Sequence, residues 1–243
     1  MRKEKSDEMF LKWSKGRNEH SWDIQFVAEQ IRIRKLDYGL DIGGGIGTFS
    51  NAIINLNNNI QSIDVVDPSE LAHLGFVENS KINLIKGYMS DISSEKSYEF
   101  ITANLVCHHI ISNTNKDTFD AQVSFLKHAH TILKPGGVLF VEENIYESYF
   151  LEDISGRLIY EITSLRLFEK IIRKLGANTA GEGVRFHSDQ VWRKIFAKAG
   201  FKIVQTHDDL SFGDMPLWQE ILLLSKFRYQ RIYVLEKRTM QMG

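Results

Sequence analysis

The sequence predicts an α/β protein built on a doubly wound, mostly parallel sheet of seven strands. Three observations carry that prediction. Short apolar runs alternate with helix-like segments through the middle of the chain, and a glycine-rich turn follows the first run. In addition, Lys134-Pro135-Gly136-Gly137 interrupts a long helical pattern just before the most apolar run. Apolar runs spaced by helical patterns are the mark of βαβ units. The 243 residues suit a single domain. A chain of that length buries roughly 70–75% of its unfolded surface, so it needs no disulfide or metal to hold it.

The elements follow in order. The first strand is expected at Tyr38–Ile42, ending in the glycine turn, and a helix at Thr48–Leu56. The second strand, Ile60–Val66, is closed by Asp67-Pro68; the third is Ile82–Ile85 and the fourth Glu99–Val106. A helix over Lys116–Leu133 stops where proline removes a donor and glycine accepts a left-handed turn. The fifth strand, Val138–Glu142, is apolar enough to be buried on both faces. A helical insertion, residues 144–186, comes next, with helices near Phe150–Tyr160 and Thr163–Leu175 and a polar loop over Gly176–Gly183. Ser188 is placed to cap a helix over Asp189–Ala199, with Gly200 just beyond its end. Phe201–Thr206 and Glu220–Lys226 read as two last strands forming a hairpin, with Pro216 and Trp218 in the loop between them. Residues 1–35 read as an N-terminal helical cap.

Composition narrows the partners. Thirty basic and 31 acidic residues leave a net charge of −1, which gives no footprint for broad nucleic-acid binding. The single cysteine, Cys107, has no partner for a disulfide or a zinc site, so no metal is expected and a reducing compartment fits best. Met1-Arg-Lys-Glu-Lys-Ser-Asp-Glu is followed by no apolar stretch, and nowhere do 18 apolar residues run together. Signal peptide and membrane span are therefore not expected, and the cytoplasm is the expected location.

The most specific signal is Leu40-Asp41-Ile42-Gly43-Gly44-Gly45-Ile46-Gly47. A strand must turn sharply into a helix here, and residues without Cβ let backbone N–H groups come close to a ligand. A dinucleotide fingerprint, G-x-G-x-x-G/A, fails because its third position would be Thr48. The spacing D-x-G-x-G-x-G fits instead.

Asp41 to Gly47 resembles the first motif of the class I S-adenosylmethionine-dependent methyltransferases, and Val65-Val66-Asp67-Pro68-Ser69 their second. The resemblance extends through Gly87-Tyr-Met-Ser-Asp91-Ile92, Thr102-Ala-Asn104-Leu-Val-Cys-His108-His109 and Leu133-Lys-Pro-Gly-Gly-Val138. It continues to Gly183-Val-Arg185-Phe-His187-Ser188 and Ala199-Gly200-Phe201, and so covers roughly Gly39 to Lys226. It implies the Rossmann-like methyltransferase fold, with S-adenosylmethionine as cofactor. By the family's pattern, Gly43, Gly44 and Gly45 approach the cofactor and Asp67, before Pro68, accepts both ribose hydroxyls. Ser90, Asp91 and Ile92 meet the adenine, with Met89 also over a ring face. Asn104 meets the methionine portion, and Asp41 attracts the ammonium. An arginine or tyrosine of the N-terminal segment, of which Arg17 is an example, binds the carboxylate.

Methyl transfer from a sulfonium is an in-line displacement whose leaving thioether needs no acid. A base is needed when the acceptor is a hydroxyl, a thiol or a carbon acid. His108 aligns with the catalytic histidine of plant-type small-molecule O-methyltransferases, and an imidazole can take a proton at neutral pH. A histidine that only packs or orients a substrate is the competing reading. Glu142 and Glu143 end the fifth strand, where Glu143 is placed to orient an acceptor; a solvated pair opening a loop is the alternative. Tyr146 belongs to an aromatic lid, and Arg185 with His187 can close over an acceptor carboxylate. The expected acceptor is a hydroxyl or amine of a small molecule or small peptide, with room for a homodimer. An N-methyltransferase of protein or RNA and a protein that only binds the cofactor stay open as alternatives.

Overall fold

The computed structural model describes residues 19–164, 183–211 and 216–238. Seven strands form one sheet in the order β3-β2-β1-β4-β5-β7-β6. The strands are β1 (Tyr38–Ile42), β2 (Ser62–Asp67), β3 (Ile82–Lys86), β4 (Tyr98–Asn104), β5 (Leu133–Ser148), β6 (Phe201–Asp209) and β7 (Ser225–Lys237). The helices are α1 (Trp22–Arg34), α2 (Thr48–Leu56), α3 (Glu70–Leu74), α4 (Asn115–Ile132), α5 (Ile154–Ser164), α6 (Asp189–Lys198) and α7 (Leu217–Leu223). By packing, the chain divides into two compact units. One takes in Met1–Asn104, His128–Val141 and Val234–Gly243, the other Leu105–Lys127 and Glu142–Tyr233.

In the first unit β1 is flanked by β2 and β4, all parallel, and β3 lies parallel to β2. The inner strands are apolar on both faces: Leu40, Ile42, Val65, Val66, Phe100, Ile101 and Ala103 are all buried. That is why they read as continuous hydrophobic runs rather than alternating ones. Ile24, Val27, Ala28 and Ile31 repeat at helical spacing and form the buried stripe of α1, which packs on α2.

In the second unit, Ser188 caps α6 by accepting from the Val191 N–H, and Trp192, Ile195 and Phe196 form its buried face. Gly200 takes φ +93° and ends the helix as expected.

Several expectations need correction. β4 ends at Asn104, not Val106, because Leu105 turns the chain out of the strand with a left-handed φ of +57°. β5 starts at Leu133 and runs to Ser148, so Lys134-Pro135-Gly136-Gly137 ends α4 but lies within the strand. The helical part of the insertion therefore begins only at Ile154; the second expected helix lies outside the described residues from 165 onward. The strand expected at Glu220–Lys226 starts only at Ser225 and runs on to Lys237. Leu217–Leu223, including Trp218, is helical, and Leu224 with φ +49° ends it before β7. Short apolar runs do not separate helix from strand by periodicity alone, and this one went the other way. β6 and β7 are neighbours as expected.

Candidate active site

The first unit gathers its candidate residues through strand register. Ile42 pairs with Val66 on one side and with Ala103 on the other. The next residue of each strand is then Gly43, Asp67 and Asn104, side by side at the carboxyl edge of three adjacent parallel strands. Sheets of this kind bind ligands at that edge.

The glycine turn is fastened to this edge by backbone. Gly43 N–H donates to Val66 O at 2.8 Å, and Gly45, with φ +57°, donates to Asp67 Oδ2 at 3.0 Å. Ser69 N–H donates to Asp67 Oδ1 at 2.8 Å, so the buried carboxylate is fixed at both oxygens by a single backbone donor each. Each oxygen keeps acceptor capacity for a hydroxyl. Gly44 lies where a Cβ would come within 2.5 Å of Asp41 Oδ2. Asp41 itself is buried and accepts from Ser50 Oγ and Thr102 Oγ1, both at 2.7 Å. Its carboxylate ties β1 to α2 and β4 and lies against the turn at Gly44.

Pro68 is exposed after Asp67. Ser90 and Asp91 lie on an exposed single turn after β3, and one Asp91 oxygen accepts from the Tyr88 N–H at 2.8 Å. Ile92 and Met89 are buried. Arg17 lies outside the described residues.

Whether an adenosyl cofactor suits this edge can be tested on Asn104. Its Nδ2 is buried with no hydrogen-bond partner among the described residues. A buried donor left unpaired costs about 1–3 kcal/mol. A ligand bringing a carboxylate or hydroxyl oxygen to this edge removes that cost. Asp67 supplies acceptors beside it, and the glycines leave room for close approach. The residues fit the group.

The second unit holds the candidate base. Cys107–His109 forms a single tight turn, and His108 is 5% exposed. Its Nδ1 lies 2.8 Å from Glu143 Oε2, and its backbone N–H donates to Glu143 Oε1 at 3.2 Å. One carboxylate thus holds both the ring and the backbone of the same residue. With Nδ1–H donated to Glu143, the lone pair of the neutral ring is on Nε2. The half-buried Phe186 ring lies 4.5 Å from the imidazole, and the buried Tyr146 packs 5.1 Å from Phe186. Burial, and next the Glu143 charge, push the Cys107 thiol well above its usual range, so the neighbouring sulfur stays protonated. Glu143, expected to orient an acceptor, faces the histidine instead.

Arg185 and His187 do not form the expected carboxylate clamp. The Arg185 guanidinium is buried and donates to Asp153, to Phe186 O and to Asn115 Oδ1, the last at 2.8 Å. The His187 Nδ1 lies 2.9 Å from Asp153 Oδ2 and Nε2 lies 2.8 Å from the Gln122 carboxamide. Both side chains are therefore occupied inside the fold. Burial alone would raise the Asp153 carboxyl; His187 and then Arg185 outweigh it and hold it below its usual value. Burial also lowers His187, against the pull of Asp153.

Asp153, Gln122 and Gly156 were not among the expected site residues. Asp153 has φ +67° and is fully engaged with Arg185, His187 and the Ser188 N–H. Gly156 lets α5 approach the Arg185–Phe186 backbone: a Cβ there would fall 2.0 Å from Phe186 O. The one available signal was Thr118 and Gln122, polar residues in the stripe that Leu126 and Ala129 continue on α4.

Among the described residues, no group of three metal-ligating side chains comes together and no helix is long and apolar enough to cross a membrane. A comparison with curated protein sequences finds no match. Solved structures do resemble the chain. The mitomycin 7-O-methyltransferase MmcR superposes with a TM-score of 0.56 at 14% identity, over 89% of this chain and 53% of its own. The chain therefore spans about half the length of that enzyme. An S-adenosylmethionine-dependent methyltransferase from Clostridium acetobutylicum gives 0.55 at 16%, over 89% and 91%. The MccD protein gives 0.61 at 14%, over 90% and 97%. At such identities these likenesses speak to fold. A family model described as a methyltransferase domain matches residues 8–206. With that span matched and the glycine turn, Asp67 and Asn104 aligned on one strand edge, the chain belongs to the methyltransferase domain family and carries its class I, S-adenosylmethionine-dependent fold.

Proposed function

We propose that this methyltransferase moves a methyl group from S-adenosylmethionine to a hydroxyl of a small molecule, with His108 as the base. The observation that carries the reading is the buried pair of His108 and Glu143, joined at 2.8 Å. An amine acceptor loses its proton readily after transfer and gains little from such a pair. A hydroxyl gains much more, because its oxygen becomes a strong nucleophile only as the proton leaves.

Gly43–Gly45, Asp67 and Asn104 would hold the cofactor: Asp67 accepts from the ribose and Asn104 Nδ2 donates to the methionine portion or the sugar. When bound, the cofactor supplies an electrophilic methyl carbon on a positively charged sulfur. His108 Nε2 takes the acceptor's hydroxyl proton, and the imidazolium so formed is stabilised by Glu143 at Nδ1. The proton leaves to water after the methylated product departs. Phe186 borders the ring, with Tyr146 packed against Phe186, and helps keep water from it. Correct placement of the reacting groups contributes up to roughly 7–11 kcal/mol in well-oriented reactions, so much of the rate comes from positioning. The name of the mitomycin 7-O-methyltransferase, one of the similar structures, is in keeping with an oxygen acceptor.

The test is direct. The purified protein is titrated calorimetrically with S-adenosylhomocysteine, then incubated with S-adenosylmethionine and catechol, 4-nitrocatechol, tyramine or a serine-containing peptide. Products are followed by a mass gain of one methyl group. Binding of S-adenosylhomocysteine with transfer to a hydroxyl supports the reading. Transfer to amines alone, with His108→Ala fully active, refutes it.

A further inference from the structure

We infer that Gln122, held by His187 and Asp153, is a positioning residue for His108; the inference rests on the reading of His108 as base. Glu143 fixes the His108 ring and backbone N–H from one side. The rest of the tight turn is fixed through its carbonyls. Gln122 Nε2 donates to Cys107 O at 3.1 Å, and the Arg185 N–H donates to His108 O at 2.9 Å. Both donors belong to one connected network. The Gln122 carboxamide also meets His187 Nε2 at 2.8 Å, and His187 leads on to Asp153. Asp153 in turn pairs with the Arg185 guanidinium and accepts from the Ser188 N–H at 2.9 Å.

Every member of this network is buried: Gln122 is 0% exposed, Arg185, His187 and Ser188 are 2% each, and Asp153 is 4%. A buried polar network that is fully bonded makes its surroundings rigid, and one broken link leaves costly unpaired groups. Three further features show the chain shaped around it. Asp153 adopts a left-handed backbone, Gly156 admits the Phe186 carbonyl where a Cβ would clash, and Ile145 on β5 forms a bridge with His187. The network touches the base only through the backbone of the turn that carries it. It therefore sets where Nε2 lies without taking part in proton transfer.

The experiment compares Gln122→Leu with wild type, in the full chain and again in a His108→Ala background, using the hydroxyl acceptor turned over fastest among those above. A displacement of about 1 Å costs on the order of 100-fold, so kcat should fall about 10- to 100-fold. KM and S-adenosylhomocysteine affinity should stay within about twofold. In the His108→Ala background the same change should cost almost nothing, because coupled residues are non-additive. ¹⁵N-histidine spectra give a readout independent of the acceptor: wild type should show one His108 tautomer, Gln122→Leu a mixture. A folded Gln122→Leu with wild-type kcat and an unchanged tautomer overturns the inference. So does an equal loss in both backgrounds, which marks general destabilisation. Where Gln122→Leu does not fold, His187→Gln makes the same comparison with the same two outcomes. If His108→Ala alone keeps wild-type turnover, the base reading fails first, and this inference with it.

Discussion

The strand edge of the first unit and the polar centre of the second are built by opposite means. At the edge, Gly43, Asp67 and Asn104 become neighbours because three parallel strands pair in register, and the turn is closed by backbone N–H groups. In the polar centre, His108, Glu143, Gln122, Asp153 and Arg185 come from five separate stretches of chain and meet through side chains. The comparison teaches where specificity can change. An edge made of backbone tolerates few substitutions but repeats wherever the same strands pair. A side-chain centre depends on long-range packing that differs from chain to chain.

The largest expected effect sets the two regions apart. His108→Ala should lower turnover by about 10²–10⁴-fold, the usual range for a general base, while S-adenosylhomocysteine titration gives an unchanged dissociation constant. Loss of cofactor affinity in this variant would break the division. Asp67→Ala should do the reverse. It removes an acceptor pair from the sugar and frees the Gly45 and Ser69 N–H groups, so calorimetry should show affinity weakened by roughly 10- to 100-fold, as for a hydrogen-bonded charge. An unchanged constant would remove Asp67 from the site.

Gly156→Ala tests the packing of the polar centre. The added methyl meets the Phe186 carbonyl and the Arg185 guanidinium, so denaturant unfolding should show a loss of about 1–3 kcal/mol. Cofactor affinity should change far less than stability. The smallest effect is a pH dependence. The folded His187 has a pKa below its unfolded value of 6.5, so the unfolded chain binds more protons in that interval. Its contribution is complete above about pH 6.5 and is lost as pH falls through the folded value. Asp153, below its usual 3.8, has the same sign further into acid. Melting temperature should therefore fall on acidification, and His187→Gln should flatten the slope just below pH 6.5. An unaltered slope would place the proton uptake elsewhere.

What could be read from the sequence follows the same division. β1 and α2 occupy the expected residues, and β2, β3 and α4 differ only at their ends. Glycine spacing and apolar runs are local signals, and local sterics decide them. Leu217–Leu223 escaped because its apolar run is too short to distinguish a helix turn from a strand. Arg185 and His187 stood out by residue type, yet type alone could not say whether they face a ligand or Asp153.

The sequence by itself determined the turn, the strand that precedes it and the acidic residue that closes the next strand, since backbone conformation and burial on both faces of the sheet leave little freedom there. Only the tertiary structure decided that Glu143 serves His108, that Arg185 is committed to Asp153 and that Gln122 reaches the Cys107 carbonyl. The reason is physical: a buried polar group must find a partner, and which one it finds depends on chain segments brought together by packing, not on its neighbours in sequence.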